Sequence, residues 1–139
     1  MEQPHTQSLS PEAYRHATTP CHYGTPGRFD GHAVITGPCG DTMEFWLLVE
    51  NSKIAEARFV TDGCGSSLAC GSITTCLATG RSLAEAMAIG QADVLEALDG
   101  LPDEWAHCAL LASNTLRAAC QDYFERHPHD QDEGARARR

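Results

Sequence analysis

Three cysteines stand in short stretches suited to metal chemistry: Cys39 in "GPCGDT", Cys64 in "DGCGSS" and Cys108 in "AHCALLA". Asp41 follows the first by two residues, and His107 immediately precedes the third. Thiolates are soft donors that hold zinc and iron–sulfur clusters, and an imidazole or a carboxylate can complete such a shell. Gly40, Gly63 and Gly65 lie beside two of the thiols, and glycine lets backbone approach a ligand closely. A bland reading stands beside this one. A lone cysteine also serves as a small buried hydrophobe, a lone histidine as a packed or solvent-facing ring, and a lone aspartate as a turn cap. Spacing alone leaves both readings open.

The other four cysteines are Cys21, Cys70, Cys76 and Cys120, which makes seven, an odd number. No CxxC pair occurs, which argues against a zinc ribbon and against a thioredoxin-type redox motif. "MEQPHTQSLS" lacks a charged-then-apolar signal pattern, and no run of 18 or more residues is continuously apolar. The expected location is therefore cytoplasmic, away from membranes, where stable disulfides are disfavoured. A formal charge of −9 argues against nucleic acid as a partner, since phosphate contacts need a basic face and only the terminal "GARARR" is basic. At 139 residues, 42% of them hydrophobic, the chain suits one domain with its own core.

The elements that must position these donors follow from periodicity. Residues 1–10 are expected to be disordered, 11–127 to form the domain, and 128–139 to be a flexible polar tail. Ser10-Pro11-Glu12 is a helix start, and "HATTPCHYGTPGRFDG" reads as loop. "HAVIT" is a candidate strand. "TMEFWLLVE" alternates Met43, Phe45, Leu47 and Val49 against Glu44, Trp46, Leu48 and Glu50, as a strand with one buried face does. "NSK" is a turn, and "IAEARFVTD" is a third strand with Ala55, Ala57, Phe59 and Thr61 on one face. Helices follow: one after Asp62 that stops at Gly80, one capped by Ser82 and Glu85, one over "QADVLEAL", and a long one opened by Pro102 and closed before Pro128. Strands first and helices after predict an α+β fold, a three-stranded antiparallel sheet with helices packed on one face. Cys39, Cys64 and Cys108 then all fall at element ends, which can converge on one edge, and helix starts favour thiolates at Cys64 and Cys108.

"GPCGDTMEF", "ARFVTDGCGSSLACGSI", "GRSLAEA" and "HCALLASNTLRAA" together resemble the IscU/NifU N-terminal family of iron–sulfur cluster assembly scaffolds, from about His16 to Phe124. The resemblance implies a SufE/IscU-like fold of three antiparallel strands covered by helices. It implies that Cys39, Cys64 and Cys108 carry a transient [2Fe–2S] cluster built from iron, with Asp41 assisting coordination and release and His107 as a further metal ligand. It also implies zinc in the same site when no cluster is present. The implied sulfur donor is a pyridoxal-phosphate-dependent cysteine desulfurase, and the receivers are carrier or acceptor apoproteins. Such a scaffold is not an enzyme, and a homo-oligomer is compatible with it. A carboxylate or imidazole among thiolates is the more easily displaced ligand, which suits cargo that must leave.

Two departures bear on partners and branch. "LPDEW" stands where bacterial housekeeping scaffolds have LPPVK, which argues against docking by their dedicated Hsp70-type chaperone. The zinc-dependent sulfur-acceptor (SufU-like) branch has a longer insertion before its third cysteine and lacks the adjacent histidine; this chain has His107. That branch is the alternative reading, and a structural zinc-binding interaction domain is a third. Cys21, Cys70, Cys76 and Cys120 are expected to be packing or incidental thiols. Cys21 is expected to be the most exposed of them, and Cys70 is the candidate for receiving persulfide.

Overall fold

Ser10 caps the first helix as its place before Pro11 requires, its Oγ accepting the Ala13 N–H at 3.0 Å. In the computed structural model, which describes residues 9–128, this helix is α1, Pro11–Thr18. The expected disordered start and polar tail lie outside the described residues, apart from residues 9, 10 and 128. α1 buries Ala13 and His16 against a later helix, α2 (Gly65–Ala78), where His16 Nδ1 lies 2.6 Å from Ser72 Oγ.

Strands β1 (Gly31–Thr36), β2 (Thr42–Glu50) and β3 (Lys53–Thr61) form an antiparallel sheet in that order. Asn51 and Ser52 join β2 to β3 with φ of 55° and 63°, the two left-handed residues of a tight hairpin turn. The register runs Gly31↔Leu47 to Thr36↔Thr42 on one side and Met43↔Thr61 to Glu50↔Lys53 on the other. It breaks once: Leu48 faces Glu56 but Val49 faces Ile54, so Ala55 is an extra residue in a bulge. The expected buried face of β3 is corrected accordingly. Ile54, Ala57 and Phe59 are buried while Ala55 is exposed, because the bulge reverses side-chain direction at one step.

Helix α2 stops just before Gly80, as its pattern predicts. α3 (Leu83–Met87) carries the Ser82–Glu85 capping box, and α4 (Gln91–Ala97) ends at Asp99 and Gly100, both left-handed. The last helix does not open at Pro102. Asp103–Trp105 forms a 3-10 turn in which the Trp105 N–H donates to Pro102 O (2.9 Å), and α5 runs Ala106–Arg126. Trp105, at φ −115°, departs from helical geometry and separates the two. This delays α5 so that His107 and Cys108 occupy its first turn.

α2 and α5 cover one sheet face. Met43, Phe45, Leu47, Ala57 and Phe59 meet Ala69, Cys70 and Ile73 from α2 and Ala112, Leu116 and Cys120 from α5. The opposite face is not all solvent: Trp46 is also buried, stacked on His32 with ring centroids 5.5 Å apart. No helix among the described residues is long and apolar enough to cross a membrane.

Candidate metal centre

The β1–β2 connection is a five-residue loop, Gly37 to Asp41, closed by two backbone hydrogen bonds. Gly37 N–H donates to Asp41 O at 2.8 Å, and Gly40 N–H donates to Gly37 O at 3.0 Å. Pro38 supplies the fixed φ that a β-turn needs at its second position, and Gly40 takes φ +93°. Cys39 is thereby held at the exposed tip, and Asp41 is returned to the sheet.

Beyond the Met43↔Thr61 pair, the β2–β3 ladder brings Asp41 opposite the Gly63 turn. Asp62 fixes the crossing, its Oδ1 accepting the Thr42 N–H at 2.8 Å. Cys64 is then the N-cap residue of α2, with extended backbone and no capping bond from its side chain, so its thiol stays exposed. α5 lies against β1, β2 and α2, and its first turn brings His107 and the buried Cys108 to the same edge.

The five sequence-predicted residues therefore meet. Cys39 Sγ lies 3.1 Å from His107 Nε2, and Cys108 Sγ lies 3.7 Å from the same nitrogen. Two donor triads form: Cys39, Asp41 and His107, and Asp41, Cys64 and Cys108, each with its donor atoms within 4.8 Å of one another. Asp41 belongs to both. Tetrahedral zinc with bonds of about 2.0–2.3 Å needs donor separations of roughly 3.3–3.8 Å, so modest closure of either triad would hold a metal. Burial pushes the Cys108 thiol up to about 11; the nearby Ser67 hydroxyl opposes this, and the charges of Cys64, Asp41 and Cys39 add to it. A cation at the site would reverse that balance, because a coordinated thiol is deprotonated.

The family model of the NifU-like N-terminal domain matches residues 9–130. This chain belongs to that family. The iron–sulfur cluster assembly scaffold protein IscU 1 of Archaeoglobus fulgidus is 36% identical over 118 residues, 84% of this chain and 77% of its own. The scaffold protein IscU of Escherichia coli K12 is 41% identical over 113 residues, 73% of this chain and 88% of its own. Among solved structures, an iron–sulfur cluster assembly scaffold candidate of the SUF system from Fervidobacterium islandicum AW-1 superposes with a TM-score of 0.69. The superposition covers 85% of this chain and 99% of that one at 17% identity, a likeness of fold.

Within this NifU-like domain the remaining cysteines belong to neither donor triad. Cys70 and Cys120 are buried in the core, and burial pushes both thiols up, Cys120 to about 12. A thiol so enclosed is a poor sulfur acceptor, because the thiolate is the nucleophile and needs access. Cys21 and Cys76 are half-buried, more open than Cys70 and Cys120: the Cys21 N–H donates to Ser72 Oγ at 2.7 Å, and its neighbour is Cys76. One polar residue at the site escaped the sequence reading. Ser67 is buried, donates from Oγ to Asp41 Oδ2 at 2.9 Å, and lies 3.5 Å from Cys108 Sγ. Its spacing, three residues after Cys64 on a helix, places both on one side, but nothing in that spacing names Asp41 as its partner.

Proposed function

We propose that this chain is a scaffold on which a [2Fe–2S] cluster is assembled from iron and delivered sulfur, and from which it passes to acceptor apoproteins. The observation that carries the reading is the convergence of Cys39, Asp41, Cys64, His107 and Cys108, from three separate segments, on one edge where two of the thiols are exposed. The names of the IscU relatives support it. Sulfur would arrive from a pyridoxal-phosphate-dependent cysteine desulfurase as persulfide on one of the three thiols, and each such sulfur takes two electrons from an external reductant to become sulfide. Cys39, at the loop tip, is the most open of the thiols to a docking partner. A resident site would use four thiolates; three thiolates with an oxygen and a nitrogen donor suit cargo that is held and released. Zinc fits the same donors when no cluster is being built.

The test is anaerobic reconstitution with ferrous iron, cysteine and a desulfurase, followed by visible absorption and transfer to an apo-ferredoxin. The expected result is a chromophore that is lost in Cys39→Ala, Cys64→Ala and Cys108→Ala and that moves to the acceptor. One tightly held zinc, no chromophore, and persulfide on a single cysteine would instead make the protein a zinc-dependent sulfur acceptor. Zinc without any desulfurase stimulation would leave an interaction domain.

A further inference from the structure

Asp41 is the residue the two donor triads share, so whatever fixes its carboxylate decides how the halves of the site are joined. In the sequence nothing holds it: it ends a glycine-rich loop and has left-handed Gly40 immediately before it. The structure supplies one hydroxyl. Ser67, in the first turn of α2 and 0% exposed, donates from Oγ to Asp41 Oδ2 at 2.9 Å, and Cys108 Sγ lies 3.5 Å from the Ser67 Oγ. A serine hydroxyl has one proton to give, and here it goes to the carboxylate. The carboxylate keeps its second oxygen and its remaining lone pairs for another partner.

The space for this contact is cut to size. A Cβ at position 63 would lie 2.7 Å from both Asp41 Oδ2 and Ser67 Cβ, and it would strike Ser67 Oγ as well. Any residue but glycine before Cys64 would wedge the pair apart. Gly63 and Ser67 together therefore form a seat for the Asp41 carboxylate at the start of α2, from which it reaches both triads.

We propose that Ser67 is a positioning residue of the cluster-building site: it holds Asp41 beside Cys64 and Cys108 and so orders that triad before any metal arrives. The inference rests on the scaffold reading above. A ligand held by a neutral hydroxyl is preorganised for entry of iron.

Cobalt(II) is the probe, because its visible bands report the number and kind of its ligands, and binding can be read on the full chain without any cluster. Wild type is expected to bind cobalt with thiolate charge-transfer bands and the intensity of a tetrahedral site. Ser67→Ala is expected to bind about tenfold more weakly, in the range typical of lost outer-shell partners. Its ligand-field bands should shift toward those of Asp41→Ala. In the Asp41→Ala background, Ser67→Ala should change nothing further, since the effect passes through the carboxylate. A purely structural serine would lower affinity without moving the bands and would add its cost in both backgrounds; that result overturns the proposal and leaves the scaffold reading intact. Wild-type protein that shows no thiolate–cobalt bands would overturn both. Should Ser67→Ala not fold, Gly63→Ala carries the same test, because its Cβ pushes the Ser67 hydroxyl and the Asp41 carboxylate apart without removing either group, and unchanged bands there count against the proposal.

Discussion

At the scale of single residues, the site is defined by how unlike its donors are. Cys39 is an exposed loop-tip thiol beside His107, Cys64 is an uncapped thiol at a helix start, and Cys108 is enclosed with its proton held by burial. Asp41 is the hard oxygen donor among soft sulfurs, and hard donors bind iron–sulfur cargo less firmly than thiolates do. Asp41→Ala should therefore still assemble a cluster on the three cysteines. That cluster should outlast the wild-type one and move to an apo-ferredoxin several-fold more slowly, as read by the acceptor's circular dichroism. Transfer at the wild-type rate would remove aspartate from the release step. The candidate donors stand out in the sequence because Cys, Asp and His beside glycine are conspicuous by type, and the fold brings them to one edge. Ser67 does not stand out, because a serine in a helix announces no partner until the fold brings Asp41 to it.

At the scale of elements, the site depends on the seam between α2 and the sheet, and Phe59 is the side chain that closes it. It is fully buried, with ring centroids 5.2 Å from Tyr23 and 5.9 Å from Phe45, and it packs against Gly71 of α2. Phe59→Ala should cost about 3–5 kcal/mol in urea unfolding, the usual range for removing a buried ring. Val34→Ala, on the half-exposed side of β1, should stay within about 0.5 kcal/mol. A comparable loss at both positions would show that the seam is not where stability resides. Strands, turns and caps were readable here because each has a local cause: alternation in "TMEFWLLVE", Asn51-Ser52 at the hairpin, and Ser82 with Glu85 at α3. The bulge at Ala55 and the 3-10 turn before α5 were not. An extra residue in a strand leaves its composition unchanged, and whether Pro102 starts an α-helix or a tighter turn is decided by where Trp105 packs.

At the scale of the whole molecule, the buried thiols couple the fold to pH. An unfolded cysteine ionises near pH 8.5. In the fold, burial holds Cys120 protonated to about 12 and keeps Cys70 well above its ordinary value, with the neighbouring Cys108 and Cys64 adding to the effect on Cys70. Above about pH 8.5 the unfolded chain gives up protons that the folded chain keeps, so the unfolded state is the one that gains. The stability these groups contribute is complete below that pH and is lost as pH rises toward their folded values. Urea midpoints should be level from pH 7 to 8 and fall steadily between pH 9 and 10.5. The chain's acidity, −9 at neutral pH, makes added negative charge costly in the compact state and deepens the same trend. Cys120→Ala separates the two causes. It leaves a small cavity and so starts from a lower midpoint, but it removes one buried thiol from the titration, and its midpoint should fall less steeply with pH than that of the wild type. Parallel slopes would remove Cys120 from the alkaline loss, leaving Cys70 and net charge as its causes, and show that the folded state admits a Cys120 thiolate as easily as water does.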